Sequence, residues 1–137
     1  IVYSYHALEH ISNYNCALSE MKRVLKSGGL LCLGTPNRSR ILGYFGGSST
    51  IKEKIQWNIS DVKMKFYGKF KNEFGAHAGY TEKELEAILL THFSHVENIT
   101  MSYYQYLYAN YNFAIKTLEK SGLYKFVLPS VYFLGSK

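Results

Sequence analysis

The sequence has few of the features that mark secreted, membrane-spanning or disordered proteins. It holds 2 cysteines in 137 residues, too few for a disulfide framework, so we expect Cys16 and Cys32 to be reduced core residues of a cytoplasmic protein. No charged and apolar leader opens the chain, and no run approaches the about 20 apolar residues of a membrane span. Because 47% of the residues are hydrophobic and 19% are charged, the composition also excludes disorder.

Acidic residues are in the minority, and the formal net charge is +6. Such a charge suits nucleic acid, anionic lipid or an acidic substrate, or balances acids elsewhere in a longer protein. We interpret the chain as part of a longer domain, because Ile1 already lies inside an apolar run. The lysines form no recognised nucleic-acid-binding module, so we expect no nucleic-acid partner, and no obligate protein partner is evident.

The first 36 residues predict two strands around one helix. Residues 1–5 and 30–33 are short, apolar, β-prone runs of the kind that form buried strands. Between them, Ser12 or Asn13 is suited to cap a helix, which a glycine pair then ends. A strand, a helix and a strand within about 35 residues form a βαβ unit, so we expect parallel strands that are covered on both faces.

Residues 38–79 are too long for a simple connection, and we interpret them as an inserted helical cap. Gly43, Gly46 and Gly47 loosen its first part. Apolar residues then recur at helical spacing, namely Ile51, Ile55, Ile59, Val62 and Phe66. Lysines surround them, namely Lys52, Lys54, Lys63, Lys65, Lys69 and Lys71. This pattern predicts either a solvated face or peripheral membrane contact through residues 50–71.

The last third of the chain predicts a helix, a strand, a second helix and a final strand. Thr81 and Glu84 have the spacing of a capping box, and the helix that follows should bury Leu85, Ile88, Leu89 and Phe93. Residues 96–101 are typical of a strand. Residues 103–121 contain a second helix and a cluster of tyrosines that suits packing or an aromatic pocket. Residues 126–134 predict a strand at an edge or bulge, because they include a proline.

One local motif indicates zinc chemistry. Residues 6–10 (HALEH) match the H-x-x-E-H pattern of inverted zinc peptidases, in which two histidines one helical turn apart hold the metal. That arrangement requires a continuous helix, whereas residues 1–5 favour a strand. We therefore treat the peptidase as an alternative whose false-positive rate is high.

Four segments resemble the class I S-adenosylmethionine-dependent methyltransferases, in particular the ubiquinone-biosynthesis-like group. Residues 5–11 (YHALEHI) are similar to the segment after the family's fourth strand. Residues 20–31 (EMKRVLKSGGLL) resemble its helix-turn-strand passage, with serine in place of the frequent proline. Residues 35–38 (TPNR) resemble the end of its fifth strand, and residues 77–85 (HAGYTEKEL) its approach to the next helix.

The resemblance implies that residues 1–137 are the C-terminal part of one methyltransferase domain. The expected fold is α/β, a partial Rossmann-like sheet that is mostly parallel with an antiparallel final strand and carries the inserted helical cap. The expected activity is transfer of a methyl group from S-adenosylmethionine to a small-molecule acceptor, with O-methylation favoured.

Ligands of open α/β sheets lie outside the carboxyl ends of the strands. The resemblance places the methionine part of the cofactor against Ser4, Tyr5 and His6. Glu9 and His10 are then the candidates for removing a proton from the acceptor. Alternatively, both residues have structural roles. Glu9 then caps the following helix, and His10 satisfies a buried backbone group.

Two further residues complete the predicted site. Asn37 ends the second strand and His77 precedes the next helix, so both are candidates for binding the acceptor, although a lone histidine also commonly bonds a loop carbonyl.

Some relatives hold a divalent metal at the positions of His6, Glu9 and His10. Because His6 stands where a glutamate is frequent and Mg²⁺ prefers oxygen ligands, we expect no metal.

The sequence contains no Gly-x-Gly-x-Gly, the loop with which the family contacts its cofactor. We therefore expect this chain alone to bind S-adenosylmethionine weakly or not at all. The main alternative to an enzyme is a non-catalytic methyltransferase-like scaffold or interaction module. A nucleic-acid methyltransferase is disfavoured, because a target-atom signature of the Asn-Pro-Pro-Tyr type is missing from the sequence.

Overall fold

The computed structural model describes residues 1–41, 43–44, 48–74 and 77–137, and Gly46 and Gly47 of the predicted loosened segment lie outside these ranges. The described residues form a mixed four-stranded sheet of order β1-β2-β4-β3. Its strands are β1 (Val2–Tyr5), β2 (Leu30–Pro36), β3 (His95–Asn98) and β4 (Ser130–Ser136). The helices are α1 (Tyr14–Val24), α2 (Ile51–Phe66), α3 (Glu82–Leu90), α4 (Thr100–Leu107), α5 (Asn112–Ser121) and α6 (Tyr124–Val127). The predicted α/β class is confirmed.

The first three elements form the predicted βαβ unit. β1 and β2 are parallel, with Val2 opposite Leu31 and Tyr5 opposite Gly34. The helix α1 begins after Asn13, whose side-chain oxygen accepts a hydrogen bond from the backbone N–H of Cys16 at 3.2 Å, which satisfies one otherwise unpaired helix donor. Both strands therefore end on the same side of the sheet.

The final strand is antiparallel, as predicted, but it is central and not at an edge. β4 pairs with β2 from Leu30↔Ser136 to Pro36↔Ser130, and with β3 on its other side. This pairing extends β2 to Pro36, beyond the predicted end at residue 33. The edge prediction was wrong because Pro129 precedes the strand, and its carbonyl accepts a hydrogen bond from the backbone N–H of Asn37.

The predicted strand at 96–101 ends earlier, at Asn98. The side-chain oxygen of Asn98 accepts a hydrogen bond from the backbone N–H of Thr100 at 2.9 Å, where α4 begins. The hydroxyl of Thr100 is held by the backbone of Tyr132 in β4. Residues 99–129 thus form helices between β3 and β4, and Gly122 ends α5 in the left-handed conformation.

The two faces of the sheet differ in composition. The leucine face carries the larger core, in which fully buried side chains from the sheet meet those from α1 and α3: Leu8, Leu18, Leu31, Leu33, Leu85, Leu89, Val131 and Phe133. The buried side of α3 is as predicted. Each such side chain contributes about 1.5–3 kcal/mol on removal from water, so this face supplies most of the stabilisation.

The tyrosine face carries a row of aromatic rings instead. Tyr5 and Tyr132 flank Gly34 in the register, and their rings are parallel with centroids 5.8 Å apart. Tyr103 of α4 stacks on Tyr132 at 3.9 Å. A Cβ at Gly34 would lie 2.7 Å from the Tyr132 ring and 2.8 Å from the Tyr5 ring. Glycine at this position is therefore what allows the rings to meet.

Two predictions of burial were wrong. Coverage of both sheet faces fails at β1, where Tyr3 is 64% exposed, because α4 packs over β4 and leaves most of this strand's outer face uncovered. Cys16 is exposed, whereas Cys32 is half-buried, and both thiols are free. Cys16 lies outside the core because α1 turns Leu18 inward instead.

Candidate functional site

Two clefts open beside the carboxyl ends of β1 and β2. The first has a volume of about 710 Å³ and is lined by the segments that follow both strands. The second, of about 460 Å³, lies between β1, the start of β4 and the tyrosines of α4. Parallel strands bring their following loops together at such an edge, which is where the predicted site residues were expected.

Glu9 is the most unusual group in the first cleft. It lies in the single 3₁₀ turn Leu8–His10 after β1, and its side chain is only 1% exposed. Neither carboxylate oxygen has a hydrogen-bond partner among the described residues. Burial raises the pKa of this carboxyl above its usual value, because a low-dielectric setting disfavours the charged form.

His10 lies next to this carboxylate. Its Nε2 is 3.8 Å from Oε1 of Glu9, and about half of the His10 side chain is exposed to the cleft. At this distance a protonated imidazole and an ionised carboxylate attract each other without a direct hydrogen bond. His10 therefore presents its imidazole to the cleft beside a buried carboxylate.

The second cleft contains His6, whose backbone turns sharply after β1 with a φ of 48°. Its Nε2 lies 2.9 Å from the Ser130 hydroxyl at the start of β4. Burial, together with the nearby Arg40, lowers the pKa of His6 to about 4. His6 is consequently neutral near pH 7 and acts as a hydrogen-bonding group.

The two clefts meet at a pair of histidines. The ring of His10, in the first cleft, contacts the ring of His77, in the second, edge to face with centroids 4.8 Å apart. These rings form the wall between the clefts. A ligand in either cleft therefore lies near the same imidazole pair.

Arg40 fixes the backbone of this wall, and sequence reasoning did not identify it. Its guanidinium, 5% exposed, donates to the carbonyls of His77 at 3.3 Å and Asn37 at 3.2 Å, and to Asp61 of α2 at 3.0 Å. The arginine follows the TPNR segment closely. Its acidic partner is 21 residues away, however, and no sequence signal joins the two.

Tyrosines form the remaining wall of the second cleft. The Tyr104 hydroxyl accepts a hydrogen bond from the backbone N–H of Ser130 at 3.2 Å, and burial raises the pKa of this phenol. The rings that line the cleft come from β1, β4, α4 with the residue that follows it, and the segment between β2 and α2: Tyr5, Tyr132, Tyr103, Tyr104, Tyr108 and Tyr44. The cleft presents aromatic faces and hydroxyls, which suits a planar or cationic ligand group.

The structure distributes the predicted residues unequally. Tyr5, His6 and His77 line the second cleft, and Glu9 and His10 the first. Ser4 is buried in β1 and lines neither of these two clefts.

Asn37 has a structural role in the described chain. Its amide nitrogen donates to the carbonyls of Lys125 at 2.7 Å and Leu128 at 2.8 Å, and its amide oxygen accepts from the backbone N–H of Ser39. Both amide protons of this buried residue are thus used to hold the segment before β4. Its contribution to the site is to fix the end of β2.

The geometry does not support the zinc-peptidase alternative. β1 continues to Tyr5, and the positive φ of His6 separates it from the short turn that carries His10. The two histidines therefore do not share a helical face. Within the described ranges, no three side chains of metal-binding type come close enough together to hold an ion.

Comparison with known proteins gives one finding. Residues 1–33 match a family described as a methyltransferase domain, and this stretch contains β1, Glu9, His10, α1 and the first part of β2. The match supports a class I methyltransferase domain, and this family normally uses S-adenosylmethionine. The mixed sheet and its helices are consistent with a partial Rossmann-like methyltransferase fold.

No curated protein and no solved structure gives a significant match to the chain. Across the described residues, every helix is too short or too polar to span a bilayer.

Proposed function

We propose that the protein transfers a methyl group from S-adenosylmethionine to an oxygen atom of a small-molecule acceptor. The observation that carries this proposal is the buried carboxylate of Glu9, which lacks a hydrogen-bond partner in the described chain and lies beside His10. A buried carboxylate is costly for a fold. Its place at the end of β1, inside the stretch that matches the methyltransferase family, favours a catalytic role.

The residues at the end of β1 fit one part of the cofactor. S-Adenosylmethionine, when bound, supplies an electrophilic methyl group on a cationic sulfur. Tyr5 and His6 offer an aromatic face and a neutral ring at the position where the resemblance puts the methionine part, and aromatic faces attract cations. We expect the glycine-rich loop of a longer protein to supply the main binding contacts.

Proton removal is assigned to the Glu9–His10 pair. His10 is accessible and takes the proton that the acceptor hydroxyl releases. Glu9 stabilises the resulting imidazolium from 3.8 Å. His77 and the tyrosines of the second cleft orient the acceptor. Because the His77 ring contacts the His10 ring, an acceptor hydroxyl held beside His77 also lies near His10. Such positioning supplies much of the rate in a transfer reaction.

The test uses the full-length protein that contains this chain. It is incubated with S-adenosylmethionine labelled in the methyl group and a small-molecule extract of its host cells, and the labelled product is separated and hydrolysed to show whether the label is on oxygen. We expect Glu9→Gln to lower product formation by on the order of 100-fold, while cofactor binding is kept. Glu86→Gln, an exposed glutamate on α3, is the matched control and should retain full activity.

Two results would refute parts of this proposal. Label found on nitrogen or carbon would refute O-methylation alone. A full-length protein that binds no S-adenosylmethionine and forms no product would refute the enzyme and support the scaffold alternative.

A further inference from the structure

The helix α2 carries a row of large apolar side chains that the fold leaves uncovered. Lying wholly within the described residues, α2 has no buried side chain. Five of its apolar residues are more than half exposed, namely Ile51 at 78%, Ile55 at 54%, Ile59 at 51%, Val62 at 51% and Phe66 at 85%. At 3.6 residues per turn they fall within about 80° of the helix circumference. We call this row the α2 stripe.

The stripe is straight and long enough to lie on a flat surface. Residues 51 and 66 are fifteen positions apart, so the row runs for about 22 Å along the helix axis. A capping box fixes its beginning, in which Thr50 and Glu53 satisfy each other's backbone N–H groups. The helix therefore presents its apolar row as one ridge and not as a groove.

The side of α2 next to the stripe is what attaches it to the rest of the fold. Asp61 pairs with Arg40 at 3.0 Å, and the amide of Asn58 donates to the carbonyl of Gly43 at 3.1 Å. The ring of Trp57 lies 5.2 Å from that of Tyr44. These contacts are polar or aromatic, so the fold holds α2 by its inner side and directs the stripe outward.

The charge along one border of the stripe is positive and not neutralised. Lys52 and Lys63 lie along one border of the row and are exposed, and no carboxylate in the described residues pairs with either. Both acids of α2 are already engaged, Glu53 in the capping box and Asp61 with Arg40. A second copy packed on the same stripe would bring like-charged lysines together, which disfavours self-association.

From this combination we propose that α2 docks the protein on an anionic lipid bilayer. The α2 stripe enters the boundary between headgroups and acyl chains, and Lys52 and Lys63 contact the anionic headgroups. A helix with an apolar ridge, a lysine border and few free acids is what an interfacial amphipathic helix requires. The proposal does not depend on the methyl-transfer reaction.

Vesicle binding of the full-length protein tests the proposal. We expect the protein to float with phosphatidylcholine vesicles that contain about a third phosphatidylserine and to stay behind with phosphatidylcholine alone. About 1 M salt, which shortens the Debye length to about 3 Å, should release it. Equal binding to both kinds of vesicle, or to neither, would overturn the proposal.

Matched variants locate the binding surface. Phe66→Ser should lower the partition coefficient by on the order of tenfold, whereas Phe113→Ser, at an 87% exposed position of α5, should not change it. The double change Lys52→Gln with Lys63→Gln should lower it by roughly 25-fold, since each lysine near an anionic surface is worth about fivefold. Lys116→Gln with Lys120→Gln on α5 is its control.

Folding and self-association are checked on the same variants. All these positions are exposed, so the thermal unfolding midpoint and the circular dichroism should stay as in the parent. Equal loss of vesicle binding by Phe66→Ser and Phe113→Ser would contradict the assignment to α2. Concentration-dependent dimers that Phe66→Ser abolishes would show that a second copy, not a bilayer, covers the stripe.

Discussion

The two faces of the sheet differ in how their side chains pack and in how they border the two clefts. On the leucine face, branched side chains pack against α1 and α3, and Tyr14, Tyr80 and Ile88 at the margin of this core line the first cleft. On the tyrosine face, rings lie flat over Gly34, and their hydroxyls surround an open cleft. Alternation along a strand makes this division possible, because neighbouring residues point to opposite faces.

The contrast bears on the energetic cost of the titratable groups that follow β1. Side chains that pack against the leucines stabilise the fold, because burial removes their apolar surface from water. Glu9 and His6, at the end of the same strand, have pKa values shifted by burial in opposite directions, so each disfavours its charged form. The leucine face must offset that penalty.

The largest expected effect comes from truncating the leucine face. Leu33→Ala removes a fully buried side chain and should lower the free energy of unfolding by about 2–5 kcal/mol. Cys32→Ala changes the preceding residue, whose side chain lies on the other face and is half-buried. This change should lower the free energy of unfolding by less than about 1 kcal/mol. Urea unfolding measures both, and equal costs would contradict the division between the faces.

Two glycines, one on each face of the sheet, allow the faces to be compared by adding a single methyl group to each. Gly34→Ala would place a Cβ 2.7 Å from the Tyr132 ring, and Gly135→Ala would place one 3.0 Å from the Phe93 ring on the leucine face. Because Tyr132 is held against Tyr103, we expect the first change to cost about 1–3 kcal/mol and the second to cost less. The opposite order in urea unfolding would show that the tyrosine row is free to move.

Substitution of Glu9 should change the free energy of unfolding by less, and in the stabilising direction. Its pKa is raised in the folded state, so the folded protein binds the extra proton and stability falls as pH rises from the unfolded value of about 4.3. Glu9→Gln should therefore stabilise the protein by about 1 kcal/mol above the raised pKa. The gain should vanish below about pH 4, and a loss of stability at neutral pH would contradict the account.

The smallest effect concerns His6, whose ring remains partly exposed. Its folded pKa is about 4 against an unfolded value of about 6.5. Between these values the unfolded chain binds more protons, so stability falls as pH falls through this window. Proton NMR of the imidazole should show a midpoint near the lower value, and a midpoint of about 6.5 would contradict the burial of the ring.

Local signals in the sequence predicted much of the fold. The helix starts at Asn13 and Thr81 and the helix end at Gly122 are set by hydrogen bonds within a few residues, so local chemistry determines them. The strand-helix-strand unit followed from the periodicity of its apolar residues. The antiparallel direction of the final strand followed from the resemblance.

Features that depend on contacts distant in sequence could not be predicted. The central place of β4 is set by its pairing with β2, which also extends that strand. The ion pair of Arg40 with Asp61 and the placing of Tyr132 opposite Gly34 arise only once the chain is folded. Sequence therefore identified Glu9, His10, His6 and His77 as candidates, but not how they divide between two clefts.

Calorimetry of the full-length protein with S-adenosylmethionine tests the central claim most directly. We expect a saturable heat with one cofactor per protein, and much weaker heat, or none, from residues 1–137 alone. No heat from the full-length protein would contradict the claim that the carboxyl ends of β1 and β2 serve a methyltransferase.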